Sequence, residues 1–201
     1  MKNACLIIGE GPTEYFFLTS LRDEFRLLQN VSPNYPKNTS LSQLEQEIKK
    51  GIGNGFNHIY CMIDMDNKKE GEEKRKYLLL KGKYHNTRKF NAKKGIDCTI
   101  QFFETERCTE LFFLYYFIFT TKGFCKSDDV VDELNKICGY CKNKEFFIKH
   151  PLHQYFVSKG GSIENAIKNA NKSLVEKELR DYTYSELGQM FESLLSSTDH
   201  E

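Results

Sequence analysis

An excess of charge of either sign is missing from this sequence. Its 29 Lys+Arg face 28 Asp+Glu, a formal net charge of +1. That balance excludes a protein holding nucleic acid by bulk charge, while leaving room for a local basic patch. Long hydrophobic runs are missing too. The longest, Leu111 to Phe119, is about half of what a membrane span needs. Met1-Lys2-Asn3-Ala4-Cys5-Leu6 enters a strand-like run directly, with neither the apolar stretch nor the cleavage site of a signal peptide. There is no internal repeat and no low-complexity linker. The seven cysteines, an odd number in 201 residues, do not fit a secreted disulfide framework. No Cys–His or Ser–His–Asp arrangement is legible. These absences predict a cytoplasmic protein.

What is present describes a soluble globular chain: 39% apolar and 28% charged residues in 201 positions. That length suits one domain, or one domain with a modest appendage. Ala4 to Gly9 reads as a buried strand running into a tight turn. Thr13 opens a helix with Leu18, Leu21, Phe25 and Leu28 at helical spacing. Val31 to Lys37, with Pro33 and Pro36, reads as a loop. Ser40 with Gln43, or Ser42 with Glu45, offers a capping box to a helix that runs to about Lys50. Ile59 to Ile63 is a second strand ending at Asp64, and Asp97 to Phe103 a third. Glu110 to Phe119 reads as a central apolar helix. Ser127–Ile137, Ile163–Leu179 and Tyr184–Leu195 read as further helices, the last with a Thr183–Glu186 capping box. Strands alternating with helices predict an α/β fold, a parallel sheet flanked by helices. A helical C-terminal extension over 123–201 would pack on the 1–122 core.

The neutral total hides an asymmetry. Residues 68–94 hold eleven Lys/Arg against three Glu, or +8, so the rest of the chain carries −7. Lys68, Lys69, Lys74, Arg75, Lys76, Arg88 and Lys89 belong to this stretch, with Tyr77, Tyr84 and Phe90 interleaved. One reading is a solvated helix and loop. The other is a surface for nucleic-acid phosphates, with aromatics that stack on unpaired bases.

Two acidic motifs carry the chemistry: Gly9-Glu10-Gly11-Pro12-Thr13-Glu14 and Asp64-Met65-Asp66, each at a strand end. In an open parallel sheet, ligands bind beyond the carboxyl ends of the strands. Glu10, Asp64 and Asp66 can therefore converge. Converging carboxylates repel unless a cation neutralises them, and hard oxygen donors suit Mg²⁺ or Mn²⁺. The plainer reading is that Glu10 complements a helix dipole and that Asp64 and Asp66 lie on an ordinary loop.

Ile7-Ile8-Gly9-Glu10-Gly11-Pro12-Thr13-Glu14, followed by Ile63-Asp64-Met65-Asp66, resembles the Toprim domain of topoisomerases, bacterial primases and OLD-family nucleases. The chain more closely resembles RloB/AbiLii-like proteins, small Toprim proteins associated with defence against phage. Arg107-Cys108-Thr109-Glu110-Leu111-Phe112-Phe113-Leu114-Tyr115-Tyr116-Phe117 and Tyr182-Thr183-Tyr184-Ser185-Glu186-Leu187 resemble two further segments of that branch. The resemblance implies a metal-dependent nuclease, with Glu10, Asp64 and Asp66 as catalytic and metal-binding acids. It adds Glu14 and Glu110 as acids of a second metal site, and Lys68–Lys94 as a backbone-binding wall. Gly11 would let main chain approach phosphate. A non-catalytic sensor of a nucleotide or phage component, acting through a partner such as an ATPase of a defence system, is the alternative. A homodimer is compatible with either.

Cys138-Gly139-Tyr140-Cys141 followed by His150-Pro151-Leu152-His153 has the ligand types of a Cys₂His₂ zinc site. The histidine pair and the short gap are tighter than in usual zinc fingers. Otherwise these are half-buried cysteines at a helix end and two surface histidines.

Overall fold

The computed structural model describes residues 4–180 and 182–196. Five strands form one sheet in the order β2-β1-β3-β5-β4: β1 (Cys5–Ile8), β2 (Val31–Asn34), β3 (His58–Asp64), β4 (Thr87–Asn91) and β5 (Ile96–Thr105). All pairings are parallel except that of β4, which runs antiparallel along the β5 edge. Cys5-Leu6-Ile7-Ile8 is apolar without alternation because both of its faces are covered. Leu6 and Ile8 pack with Ile59, Cys61 and Ile63 under α2 (Leu41–Gly53) and α3 (Gly71–Tyr84). Cys5 and Ile7 pack with Tyr60, Met62 and Phe103 under α1 (Pro12–Glu24) on the opposite face. The chain leaves β1 through α1 toward β2, then returns through α2 to β3. The strand order therefore reverses between β1 and β3, where open α/β sheets bind ligands.

The second face owes most of its cover to the helices beyond β5: α4 (Glu110–Leu114), α5 (Ser127–Cys138), α6 (Lys144–Lys149), α7 (Leu152–Ser158), α8 (Ile163–Arg180) and α9 (Leu187–Ser196). Phe17 of α1 lies between Phe113, 4.6 Å away ring to ring, and Phe191, at 5.8 Å. Each fully buried Phe or Leu here contributes roughly 1.5–3 kcal/mol of apolar transfer. The helices from α5 onward share one core with β1 and β3, so residue 122 divides no hydrophobic interior. No helix among the described residues is long and apolar enough to cross a membrane.

Several local expectations need correction. Val31–Asn34 is a strand rather than a loop, because β2 lies at the sheet edge, where Pro33 costs no ladder bond on its open side. The basic stretch contains a strand as well, β4. The Ser40 hydroxyl caps α2 by accepting from Gln43 N at 3.4 Å, but the helix continues through Gly51. A Cβ at Gly51 would stand 2.6 Å from Leu6 Cδ2, so glycine permits the helix to lie close on the sheet. The apolar helix at Glu110 is short, ending at Leu114. Thr183 and Glu186 form no capping box: the Thr183 hydroxyl donates to Lys122 O at 2.9 Å, and Glu186 Oε2 accepts from Glu104 N at 2.8 Å.

Candidate active site

Gly9 leaves β1 with its N–H donating to Asn34 O of the neighbouring strand, at 2.9 Å. The chain then turns directly into α1. A Cβ on Gly9 would lie 2.3 Å from the Glu14 Cβ, so this glycine is required by close approach. Glu14, buried in the first turn of α1, accepts from Gly11 N at 2.8 Å. Glu14 thus caps the start of α1 with one carboxylate oxygen.

Glu10 reaches across to β3. Its Oε1 accepts from Asp64 N at 3.2 Å and from Lys68 Nζ at 2.7 Å. Lys68 is buried at 4% exposure, and its ammonium also donates to Asp64 O at 2.8 Å. Asp64 ends β3, and its Oδ1 accepts from the Thr109 hydroxyl at 3.1 Å. Thr109 and Glu110 arrive from the turn after β5, the strand beside β3. Glu110 is fully buried, accepting from the Tyr140 hydroxyl and from Lys142 Nζ, both at 3.0 Å.

Glu10, Glu14, Asp64 and Glu110 therefore converge from three segments of the chain at the carboxyl ends of β1, β3 and β5. Glu14 and Glu110 are buried, while Glu10 and Asp64 are partly exposed. Burial and then repulsion from Glu14, Glu10 and Glu110 push Asp64 well above the usual carboxylate range. Burial, then Glu110, pushes Glu14 up to about 7. Burial also raises Glu10, against the pull of Lys68. Burial and crowding of carboxyls in this way favour either a cation or a retained proton among them.

Asp66 lies at the rim of this group, near enough for its charge to raise the proton affinity of Glu10. It lies past the end of β3 on a turn, 47% exposed, accepting from the Ser127 hydroxyl at 2.9 Å with Arg107 Nη1 at 3.8 Å. Arg107 itself holds φ 66°, the left-handed region, and its Nε donates to Phe124 O at 2.7 Å. The basic stretch is largely compensated. Lys68 pairs with Glu10, Lys69 with Glu106, Arg75 and Lys76 with Glu72, Lys81 with Glu104, Lys83 with Glu45, and Arg88 with Asp97. Lys74 lies exposed on α3 without an ion pair among the described residues, and Lys89 sits over the Tyr84 ring at 5.4 Å.

The four zinc-type residues are not gathered. The Cys138 thiol is buried and donates to Leu134 O, and Cys141 is exposed. His150 lies against the Phe146 and Tyr155 rings. His153 is buried, its Nδ1 sharing a 3.0 Å hydrogen bond with the Tyr116 hydroxyl. Among the described residues, no three His, Cys, Asp or Glu side chains stand together as a ready ligand set. That holds for the acid cluster as well, whose carboxylates are turned toward Lys68, Thr109 and Lys142.

Three participants escape sequence reasoning. Thr109, Tyr140 and Lys142 touch the acids, yet a lone hydroxyl, a buried tyrosine and one lysine among many leave no pattern in one dimension. Only the proximity of Thr109 to Glu110 pointed toward one of them.

No curated protein and no solved structure matches the chain. A family model described as RloB-like protein matches residues 5–194, nearly the full length, and the chain belongs to this RloB-like family.

Proposed function

We propose that the chain is a metal-dependent phosphodiesterase of Toprim type, a nuclease acting on DNA or RNA in defence against phage. The observation that carries this reading is the convergence of Glu10, Glu14, Asp64 and Glu110 beyond the strand ends, three of them with raised proton affinity. Four carboxyl groups meet only two ammonium groups, Lys68 and Lys142, so a divalent cation could take the place of the protons that burial and crowding favour on Asp64 and Glu14. All-oxygen donors are the type that Mg²⁺ or Mn²⁺ takes, and holding an ion here would require the carboxylates to turn from Lys68, Thr109 and Lys142. The partly exposed Glu10 and Asp64, with the buried Glu14 and Glu110, would hold one or two such ions. Bound there, they would supply an activated water and neutralise charge on the phosphodiester.

The rest of the machinery belongs to the protein. Thr109 orients the Asp64 carboxyl, and Tyr140 with Lys142 fixes that of Glu110. Lys68 holds Glu10 against the β3 main chain. The N-terminus of α1 faces the same space and favours a phosphate there. Cleavage of supercoiled plasmid, single-stranded DNA and RNA with Mg²⁺ or Mn²⁺, run beside Asp64→Asn, tests the proposal. Cleavage by the unmodified protein and none by the variant supports it, and equal cleavage by both sinks the site assignment.

One observation favours a second reading. Lys68 already neutralises Glu10 and Lys142 already neutralises Glu110, as suits a non-catalytic module that senses a nucleotide or phage component. Such a module would act through a partner, for instance an ATPase of a defence system. No thermal response to metal, together with a stable partner in pull-downs, is its signature.

A further inference from the structure

One strand over from the acids, at the carboxyl end of β2, lies a cleft of about 640 Å³. It is framed by α1, the segment after β2 and the start of α6. That volume falls in the range of small-molecule and nucleotide sites. Two tyrosines line it, Tyr15 at 36% and Tyr35 at 38% exposure, with ring centroids 5.6 Å apart and planes at 67°. Phe16 and the buried Pro36 complete its apolar wall. Its only charged lining residues are Lys37 and Lys144. Neither has an acidic partner among the described residues.

This cleft contrasts with the basic stretch, where seven lysines and arginines are bound to acids. Here two ammonium groups have no ion pair among the described residues and stand beside two half-exposed rings, while the lining Asn34 amide is taken up by Glu47 Oε2 at 3.0 Å. Free cations call for an anion, and open aromatic faces call for a flat ring. A nucleotide unit has both. Tyr15 directly follows the buried Glu14 in α1, and Tyr35 directly follows Asn34, whose carbonyl holds the turn at Gly9. The cleft and the acid cluster are thus on one edge of one sheet, built from adjoining residues.

Resting on the nuclease reading above, we propose that this cleft binds one unpaired nucleotide of a single-stranded nucleic acid. Its base lies against Tyr35 and Tyr15, and Lys37 and Lys144 hold its phosphates. A base inside a duplex offers no free face to these rings, so the cleft selects single strands.

The test is fluorescence anisotropy in chelator, which keeps strands intact. The probes are a labelled oligothymidylate and an oligouridylate of about 20 nucleotides, longer than the roughly 4–16 nucleotides one such module covers, and a duplex of equal length. Tyr35→Ala is expected to weaken single-strand binding about tenfold, the loss of one base–ring stack. Tyr35→Phe should retain affinity because the ring remains. Lys37→Glu with Lys144→Glu should weaken it further and flatten its salt dependence, with duplex binding unchanged in all variants. Unchanged single-strand affinity in Tyr35→Ala and the double lysine variant overturns the cleft alone, if the unmodified protein still binds and cleaves. Equal losses on duplex and single strand overturn the single-strand assignment. No binding of either single strand by the unmodified protein overturns the cleft too, and the cleavage assay then judges the nuclease reading separately.

Discussion

The Thr109 hydroxyl meets Asp64 Oδ1 at 3.1 Å across 45 residues of sequence, joining the end of β3 to the turn after β5. The same hydroxyl lowers the proton affinity of Glu14, a second acid that repels Asp64. Thr109→Val keeps the shape and removes that donor. We expect a stability loss of about 1–3 kcal/mol in chelator and weaker metal activation, read by urea unfolding and by a Mn²⁺ titration of cleavage. Unchanged values in both would reduce Thr109 to packing.

Asp64→Asn removes a carboxyl whose ionised form is penalised first by burial and then by Glu14, Glu10 and Glu110, and adds almost no volume. The variant should melt higher than the unmodified protein in chelator near neutral pH, each kcal/mol of relieved penalty giving about 2–4 °C at this size. Saturating Mg²⁺ should reverse the order, since a ligand at 100 times its dissociation constant adds about 2.7 kcal/mol only where it binds. A variant that melts lower in chelator would show that Asp64 is not under electrostatic strain.

Lys68 and Glu10 make a pair that can be dissected. Lys68→Met strands the Glu10 carboxylate and should cost about 2–4 kcal/mol, short of a fully buried pair because Glu10 keeps 18% exposure. Adding Glu10→Gln should recover most of it. If the double variant in thermal or urea unfolding is no more stable than Lys68→Met alone, the two do not act as a pair.

The two glycines of the first motif should respond differently. At Gly9 a methyl collides with the Glu14 Cβ at 2.3 Å, whereas at Gly11 the nearest atom is Glu14 Oε2 at 3.8 Å and φ is −162°, open to any residue. Gly9→Ala should cost about 1–3 kcal/mol from overpacking, and Gly11→Ala should stay near neutral in stability. Equal costs in chemical denaturation would contradict this geometry.

Burial lowers the proton affinity of His153, whose Nδ1 is engaged by Tyr116. A folded-state pKa below the unfolded value of about 6.5 supports stability above that pH and removes it as pH falls through the folded value. His153→Asn should thus be less stable than the unmodified protein at pH 7.5, and the gap should narrow toward pH 5. A gap constant across that range would show that the imidazole is not the titrating cause.

What the sequence disclosed depended on how strong the local signals were. Ile59–Asp64 and the two acidic motifs were legible because a fully buried parallel strand is apolar throughout and its end is marked by the first charged residue. The Ser40 cap was legible because hydroxyl and helix start are three residues apart. Val31–Asn34 was not, since Pro33 is a loop signal everywhere except at an open sheet edge. Thr87–Asn91 was hidden inside a charge run, because an exposed edge strand needs no apolar face. The sequence placed Asp66 with Asp64. A turn beginning at Met65, whose N–H donates to Thr105 O at 2.9 Å, sets Asp66 beside Ser127, with its charge still acting on Glu10. Lys142 and Tyr140 became site residues only through a helix pair brought back over the sheet.

That return has a consequence in time as well as in space. Thr105 forms a bridge with Ser185, and the Glu104 main chain is bonded in both directions by Glu186, 82 positions later. Tyr184 closes the same strand end by donating to Glu104 Oε2 at 3.1 Å. A nascent chain that has released β1, β3 and β5 from the ribosome already carries Glu10, Asp64 and Glu110, but lacks both Lys142 and the segment that fastens β5. The strand end beside the acids is thus fastened only when residues 184–186 are in place, far along the chain from the carboxylates it supports.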